Sequence, residues 1–183
     1  GVEVVLNPNG DTTSQVLQLW NKGEMDGNFS TGILFDGATL STDFYISSDS
    51  ASNKITMKFR TAAGWGPFNL NLKQNGEVTG GSAVGTLAIT HYGVNVWQNA
   101  TWSFDYTGTG DLWDVDLAFT NLATSATKSN TFKDIELAGA ISDVFTEVTP
   151  KGQGGGTVLV DNIQVVPEPT TGLLLTLGLT ALS

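Results

Sequence analysis

The fold is decided by the stretch TLSTDFYI (residues 39–46), in which apolar and polar residues alternate for most of its length. Successive side chains of a strand point to opposite faces, so this pattern predicts a β-strand with one buried face. The same alternation recurs at residues 54–60 and 68–73. Segments rich in Ser, Gly and Pro separate these stretches, and Asn75-Gly76 follows the third. Such turn signals predict successive antiparallel strands.

The middle of the chain predicts a hairpin with an aromatic inner face, because strands are expected at 97–106 and 112–119 around a turn at 107–111. The inward residues are Trp102, Phe104 and Tyr106 on the first strand and Trp113, Val115, Leu117 and Phe119 on the second. Further strands are expected at 86–92, 132–137, 144–148 and 157–166, with a flexible glycine-rich segment at 151–156. About a dozen short strands predict one all-β domain over residues 1–166, an antiparallel β-sandwich of the jelly-roll type.

Composition limits the class of function. The chain has 183 residues, enough for one domain with a full core, and a formal net charge of −10. Nucleic acid is a poor partner for such a chain, whereas calcium and neutral glycans suit an acidic surface. With no cysteine, disulfides and zinc-thiolate or iron–sulfur sites are excluded. Because the chain begins with Gly1 rather than Met, we expect an exported protein whose signal peptide has been removed.

The C-terminal end carries Val166-Pro167-Glu168-Pro169, which follows a Val-Asp-Asn-Ile strand and precedes a leucine-rich segment. This arrangement resembles the C-terminus of bacterial PEP-CTERM proteins, although the final cluster of arginines found in that family is absent here. In that family the segment is a sorting signal, which a membrane enzyme called exosortase reads in bacteria that make extracellular polysaccharide. The resemblance implies an extracellular or cell-surface location and exosortase as a partner during sorting.

The apolar tail that follows, within residues 167–183, has a strand pattern. One face of the extended tail would carry Leu173, Leu175, Leu177, Leu179 and Ala181. Two interpretations stay open. Either the tail packs against its own domain, as a last strand or as a sorting remnant, or it inserts into a groove of a neighbouring subunit. Repeated head to tail, such insertion does not close and builds a fibre.

Catalysis is poorly supported. His91, the only histidine, lies in an apolar strand pattern and is expected to be structural or at the surface. Asp114 and Asp116 share a strand face, as do Asp134 and Glu136, and glycoside hydrolysis does require two carboxyl groups. However, residues 114–119 lack both glutamates of the Glu-x-Asp-x-x-Glu strand found in concanavalin-like retaining glucanases. We therefore predict no catalytic residues.

A structural calcium site is the expected metal site. The chain is similar in general character to carbohydrate-binding jelly rolls, in which a calcium ion often joins the first strands to the last. This similarity implies Asn7, Asn9, Asp11 and Asp161 as ligands, and calcium prefers such oxygen donors. The alternative is a capped turn at the N-terminal residues and an edge-strand aspartate.

Aromatic residues outside the core pattern are candidates for stacking on sugar rings. Trp65 lies between Gly64 and Gly66 in an expected loop and is the first candidate, followed by Trp20 and Trp97. Trp102 and Trp113 follow the core periodicity.

Two functions remain open from the sequence. The first is a non-catalytic structural protein of the cell surface or matrix, whose subunits assemble into a fibre through the C-terminal strand. The alternative is a calcium-stabilised carbohydrate-binding module that binds extracellular polysaccharide.

Overall fold

A computed structural model shows that the protein is built from β-strands. It describes ten segments, namely residues 2–6, 15–19, 27–33, 36–61, 64–65, 70–80, 86–110, 112–136, 145–153 and 155–166. Every regular element in these segments is a strand. None of the described residues belongs to a helix long and apolar enough to span a membrane.

Fourteen strands lie in the described residues. In chain order they are β1 (Val2–Leu6), β2 (Gln15–Leu19), β3 (Gly27–Ile33), β4 (Ala38–Ile46), β5 (Lys54–Thr61), β6 (Gly64–Trp65), β7 (Leu70–Lys73), β8 (Glu77–Thr79), β9 (Thr86–Thr90), β10 (Gln98–Tyr106), β11 (Leu112–Asn121), β12 (Thr127–Glu136), β13 (Phe145–Gln153) and β14 (Val158–Val166).

The strands form two antiparallel sheets. The first sheet has the order β1-β2-β14-β4-β10-β11-β12, and the second has the order β3-β13-β5-β7-β8-β9, with β6 paired to β5. This architecture confirms the predicted antiparallel β-sandwich. The strands expected from period-two patterning are present, and the segment 39–46 corresponds to β4, at the centre of the first sheet.

One hydrophobic core fills the space between the sheets. Its largest fully buried side chains include Trp102, Phe44, Phe104 and Phe119. They lie at alternate positions of β4, β10 and β11, so the predicted aromatic inner face of the hairpin is confirmed. Each large apolar side chain buried in this way contributes about 1.5–3 kcal/mol.

A polar clamp fastens the β4–β5 loop to the start of β14. Asn53 donates from Nδ2 to Asp49 Oδ1 at 2.6 Å, and its Oδ1 accepts the Gly156 N–H at 2.9 Å. The Thr157 N–H lies 3.1 Å from both oxygens of Asp49. Hydrogen bonds lower the pKa of Asp49 against the opposing effect of burial. Because Gly156 lacks a Cβ, its backbone can approach both side chains closely.

Two local expectations were wrong. Trp65 is not in a loop, because Gly64–Trp65 forms β6 and Trp65 pairs with Arg60 of β5. Residues 151–153 do not belong to a flexible segment, because they continue β13 and pair with residues 54–56 of β5. In both places, pairing with β5 outweighs the local tendency of glycine to form turns. The period of the sequence alone does not reveal this pairing.

The C-terminal tail lies outside the described residues. Val166 is the last residue of β14 and pairs with Thr39, whereas Pro167, Glu168 and Pro169 and the whole segment predicted to insert into a neighbour are not described. The boundary at residue 166 and both interpretations of the tail therefore stay predictions.

Candidate functional site

The outer face of the first sheet is mostly polar. Because alternate residues of β4, β10 and β11 are buried in the core, the residues between them point away from it. Direct cross-strand partners lie on the same face of a sheet, which extends this surface to β12 and β14. We call the polar residues of this surface the polar face; they are Asp161, Gln164, Thr39, Ser41, Asp43, Asn99, Thr101, Ser103, Asp105, Asp114, Asp116, Thr120, Thr127, Ser129 and Thr131. Apolar residues share this side of the sheet as well, among them Ala118, which is opposite Thr101, and Leu159, which is opposite Tyr45 and is buried.

The polar face is large enough for an oligosaccharide. Five neighbouring strands with spacings of about 4.8 Å give a width of about 19 Å. The outward residues of β10 run from Asn99 to Asp105, which is about 20 Å at ~3.4 Å per residue.

Side-chain hydrogen bonds connect the strands across this face. Asp43 accepts from Asn99 Nδ2 on one carboxylate oxygen and from Asn162 Nδ2 on the other, each at 2.7 Å. Asn99 Oδ1 in turn accepts from Thr101 Oγ1 at 2.7 Å. The side chains of this row are thus held in place, and each oxygen keeps a further lone pair that can accept from a ligand.

A bulge places Asn162 over Asp43. The pairing between β14 and β4 shifts between Asp161 and Gln164, and Asn162 has a φ of 48°. Asparagine tolerates this left-handed conformation better than most residues, and a bulge redirects a side chain. The Asn162 N–H also bonds Asp161 Oδ1 at 2.8 Å, so the bulge orients both amide and carboxylate.

One end of the polar face is acidic. Partial burial raises the pKa of Asp105, and the charges of Asp116, Asp36 and Asp114 raise it further. The hydrogen bond from Lys133 lowers the pKa of Asp114. Asp116 accepts a hydrogen bond from Thr131. These carboxylates therefore differ in their surroundings: Asp114 and Asp116 accept hydrogen bonds, whereas Asp105 is partly buried and lies near other negative charges.

The opposite end of the polar face is aromatic. Trp97 precedes Gln98, which pairs with Phe44, and this register brings Trp97 beside Tyr45. Their ring centroids are 5.7 Å apart with an interplanar angle of 45°. The two rings border an open pocket of about 400 Å³, whose other described lining residues are Asn95, Val96, Asn121 and Ala123. We call this the aromatic pocket.

His91 lies inside the sandwich and away from both surfaces. It is 2 % exposed, and its ring lies against Phe44 and Phe119. Burial is the main cause that lowers the pKa of His91 to about 4. Of the two expectations for the sole histidine, a structural or a surface position, its burial agrees with the first.

The structure tests few of the predicted site residues. Trp97 lies in the aromatic pocket. Trp20 lies outside the described residues, and for Trp65 only the backbone is described. Of the predicted calcium ligands, Asp161 lies opposite Asp43 on the polar face, while Asn7, Asn9 and Asp11 lie outside the described residues. Within the described segments, no group of three or more His, Cys, Asp or Glu side chains could hold a metal ion.

Sequence reasoning missed most of these surface residues. Asp43 and Tyr45 occupy positions of β4 that alternate with the buried ones, but their partners Asn99 and Trp97 are more than fifty residues further along the chain. The period-two pattern indicated which side chains point outward. It did not indicate that β4 pairs with β10, which is what joins them into one surface.

Comparison with known proteins supports the fold alone. No protein-family model and no curated protein matches the chain. Among solved structures, a PL-14 alginate lyase from Aplysia kurodai superposes with a TM-score of 0.65 and 10% identity, covering 91% of this chain and 87% of the other. The chain has a lectin-like β-sandwich fold. Arcelin-5, a lectin-like defense protein from Phaseolus vulgaris, superposes with a TM-score of 0.51 and 8% identity over 90% of this chain and 88% of the other. The carbohydrate-binding module CBM66 from Bacillus subtilis gives 0.45 at 14% identity over 90% and 91%, a likeness too weak to support an argument.

Proposed function

We propose that this protein is a carbohydrate-binding module, which binds a polysaccharide on the polar face without cleaving it. The observation that carries the proposal is the braced row of Asp, Asn and Thr side chains across the first sheet, with an aromatic pair at one end. Sugars present many hydroxyl groups, each of which donates and accepts hydrogen bonds. A row of carboxylate and amide groups held in fixed positions complements such a ligand at little entropic cost.

The fold neighbours are consistent with this proposal. One is named as an alginate lyase and another as a lectin-like defense protein. Identities of 8–10% do not transfer either activity, so the proposal is based on the polar face.

The partners of the carboxyl groups at the acidic end support the proposal of binding without cleavage. A glycosidase needs one carboxyl group that donates a proton and a second that attacks or activates water. Asp105 has a raised pKa, but Asp114, its direct partner on β11, accepts hydrogen bonds from Lys133 and from the Asp134 N–H. A lyase acting on a uronate instead needs positive or hydrogen-bonding groups that stabilise the charge on the substrate carboxylate. Lys133 is the cation at this acidic end within the described residues, and Asp114 binds it.

Calcium is part of the proposal as a structural ion. Asp161 and Asp43 face each other, but N–H donors already bond Asp161 Oδ1 and both oxygens of Asp43. The described residues therefore supply at most part of a calcium site. The remaining proposed ligands are those of the N-terminal segment, and calcium would fasten that segment to β14.

We also propose an extracellular or cell-surface location with exosortase-dependent sorting, on the basis of the PEP-CTERM resemblance. Assembly into fibres stays a prediction from the tail alone, whereas the carbohydrate-binding proposal is based on the described residues of the polar face.

Affinity gel electrophoresis and calorimetry against a panel of soluble polysaccharides test the proposal. Asn99→Ala removes the amide that braces Asp43 and is expected to weaken binding about tenfold, the equivalent of one to two hydrogen bonds. Asn71→Ala is a matched control, because Asn71 lies mid-strand on the second sheet and also accepts a threonine hydroxyl, that of Thr56, at 2.8 Å. Equal affinity of the two variants, or measurable turnover of the bound polysaccharide, would contradict the proposal.

A further inference from the structure

We propose that the aromatic pocket binds an uncharged pyranose unit, so that the ligand is a neutral polysaccharide rather than a polyuronate. This inference rests on the proposed carbohydrate-binding function and adds to it the class of ligand and the place of its main apolar contact.

The two rings provide a surface on which a sugar can pack. Tyr45 and Trp97 are both partly exposed at the open end of the polar face. The indole Nε1 of Trp97 is buried and has no hydrogen-bond partner among the described residues. The ring of Trp97 therefore offers stacking rather than hydrogen bonding. The C–H groups of a pyranose form an apolar face that packs on such rings, as in other mostly apolar ligand sites with a few polar groups.

Polar groups at the edge of the pocket match sugar hydroxyls. Asn121 Oδ1 accepts the N–H groups of Ala123 and Thr124 at 2.9 and 3.2 Å, and this fixes the amide. Its Nδ2 group bonds no other described residue, and so it is available to donate to a ligand. The Tyr45 hydroxyl donates to Asn95 Oδ1 at 3.2 Å and keeps its oxygen as an acceptor. The pocket thus offers both donors and acceptors beside its rings.

The loop that forms the pocket is already held in place. Asn95 has a φ of 58°, and its N–H bonds the carbonyl of Ile46 at 2.9 Å. Its side chain accepts the Ser48 N–H at 3.2 Å and donates to the Ser48 hydroxyl at 2.9 Å. A binding site that is ordered before the ligand arrives loses less conformational entropy on binding.

The charges around the pocket select against anionic sugars. None of the described lining residues is charged. Burial raises the pKa of Tyr45, and the charge of Asp49 raises it further. The Asp49 carboxylate therefore adds negative electrostatic potential at the pocket. Asp43 and Asp161 lie on the next row of the polar face. A uronate carboxylate at this position would be repelled, and no cation among the described lining residues would offset the repulsion, whereas a neutral hexose or pentose carries no such penalty.

The inference is tested by calorimetry with neutral β-glucan, mannan and xylan on one side and alginate on the other. The wild-type protein is expected to bind at least one neutral polysaccharide and to bind alginate about tenfold more weakly or not at all. Trp97→Ala is expected to lower the affinity for the neutral ligand about tenfold, whereas Trp97→Phe retains a ring and stays within about threefold.

Tyr45→Phe and Tyr106→Phe form a matched pair. Each substitution removes a phenol oxygen from a tyrosine that packs against a tryptophan. The ring centroids of Tyr106 and Trp113 are 5.3 Å apart, and the Tyr106 hydroxyl donates to the Gly110 carbonyl. Only Tyr45→Phe is expected to weaken binding. Circular dichroism and thermal unfolding confirm that each variant is folded.

The outcomes separate this inference from the proposed function. If Asn99→Ala weakens binding while both Trp97 variants leave it unchanged, the polar face binds sugar and the aromatic pocket does not, which overturns the inference alone. Alginate binding as strong as that of the neutral ligand overturns the ligand class. If the wild type binds none of the four polysaccharides, both the inference and the proposed function fail.

Discussion

Lowering the pH should destabilise the protein through His91. The Nε2 atom lies 2.6 Å from the carbonyl oxygen of Lys73, so it carries the proton. The Nδ1 atom accepts the Gly93 N–H at 3.1 Å and faces Nε2 of Gln98 at 3.2 Å. A second proton would therefore enter a buried site that already points donors at it. Lys128, whose Nζ lies 3.2 Å from the His91 carbonyl oxygen, adds a like charge.

The size of the effect follows from the pKa of the folded state. Burial, as the main cause, lowers the pKa of His91 from 6.5 to about 4, so the unfolded chain binds a proton at a higher pH than the folded one. This contribution to stability is complete above the unfolded pKa and is lost as the pH falls from about 6.5 towards about 4. At about 1.4 kcal/mol per pH unit the full loss is about 3 kcal/mol, of which about 2 kcal/mol is lost by pH 5.

Urea unfolding followed by circular dichroism at pH 8, 7, 6 and 5 measures this loss. His91→Gln is the comparison variant, because its amide can still donate to the Lys73 carbonyl but does not titrate. The free energy of unfolding of the wild type should fall by about 2 kcal/mol more than that of the variant between pH 8 and pH 5. Parallel curves for the two proteins would show that His91 does not cause the loss of stability, as would an NMR titration of His91 with a midpoint above pH 6.

Further predictions concern the clamp and the calcium ion. A Cβ at Gly156 would clash with Asp49 Oδ1 and Asn53 Nδ2, so Gly156→Ala should lower the free energy of unfolding by about 2 kcal/mol in urea titrations. Gly155→Ala is the control, because its Cβ would meet nothing closer than 3.6 Å, and an equal loss in both variants would show that the clamp is not responsible. If calcium joins the N-terminal segment to β14, millimolar CaCl₂ should raise the unfolding temperature relative to EDTA, and Asp161→Asn should reduce that difference; identical melting curves in calcium and EDTA would exclude the ion.

The sequence predicts the strands better than it predicts the surface they form. Alternation in residues 39–46 identifies Phe44 as buried and Tyr45 as outward, because the two-residue period of a strand is enough to assign each side chain to a face. The contact between Tyr45 and Trp97 depends on the pairing of β4 with β10, which are far apart in the chain. Long-range pairing is determined by the packing of the whole domain, and no local pattern encodes it.

Glycine signals failed for a related reason. The glycine pattern predicts a loop at Gly64 and a flexible segment at Gly152, but both residues belong to strands paired with β5. Gly76 did mark a turn, since it has a φ of 86° between β7 and β8. A glycine permits a turn but does not enforce one, so pairing with neighbouring strands determines whether the residue lies in a turn or in a strand.

Calorimetry with one neutral polysaccharide tests most sharply whether the polar face binds carbohydrate. The proteins compared are the wild type, Asn99→Ala and Asn71→Ala, each shown to be folded. We expect Asn99→Ala to bind about tenfold more weakly, because Asp43 loses the hydrogen bond from Asn99, and Asn71→Ala to bind like the wild type. Equal binding by all three proteins, or no binding by the wild type, would contradict the claim that the polar face is a carbohydrate-binding surface.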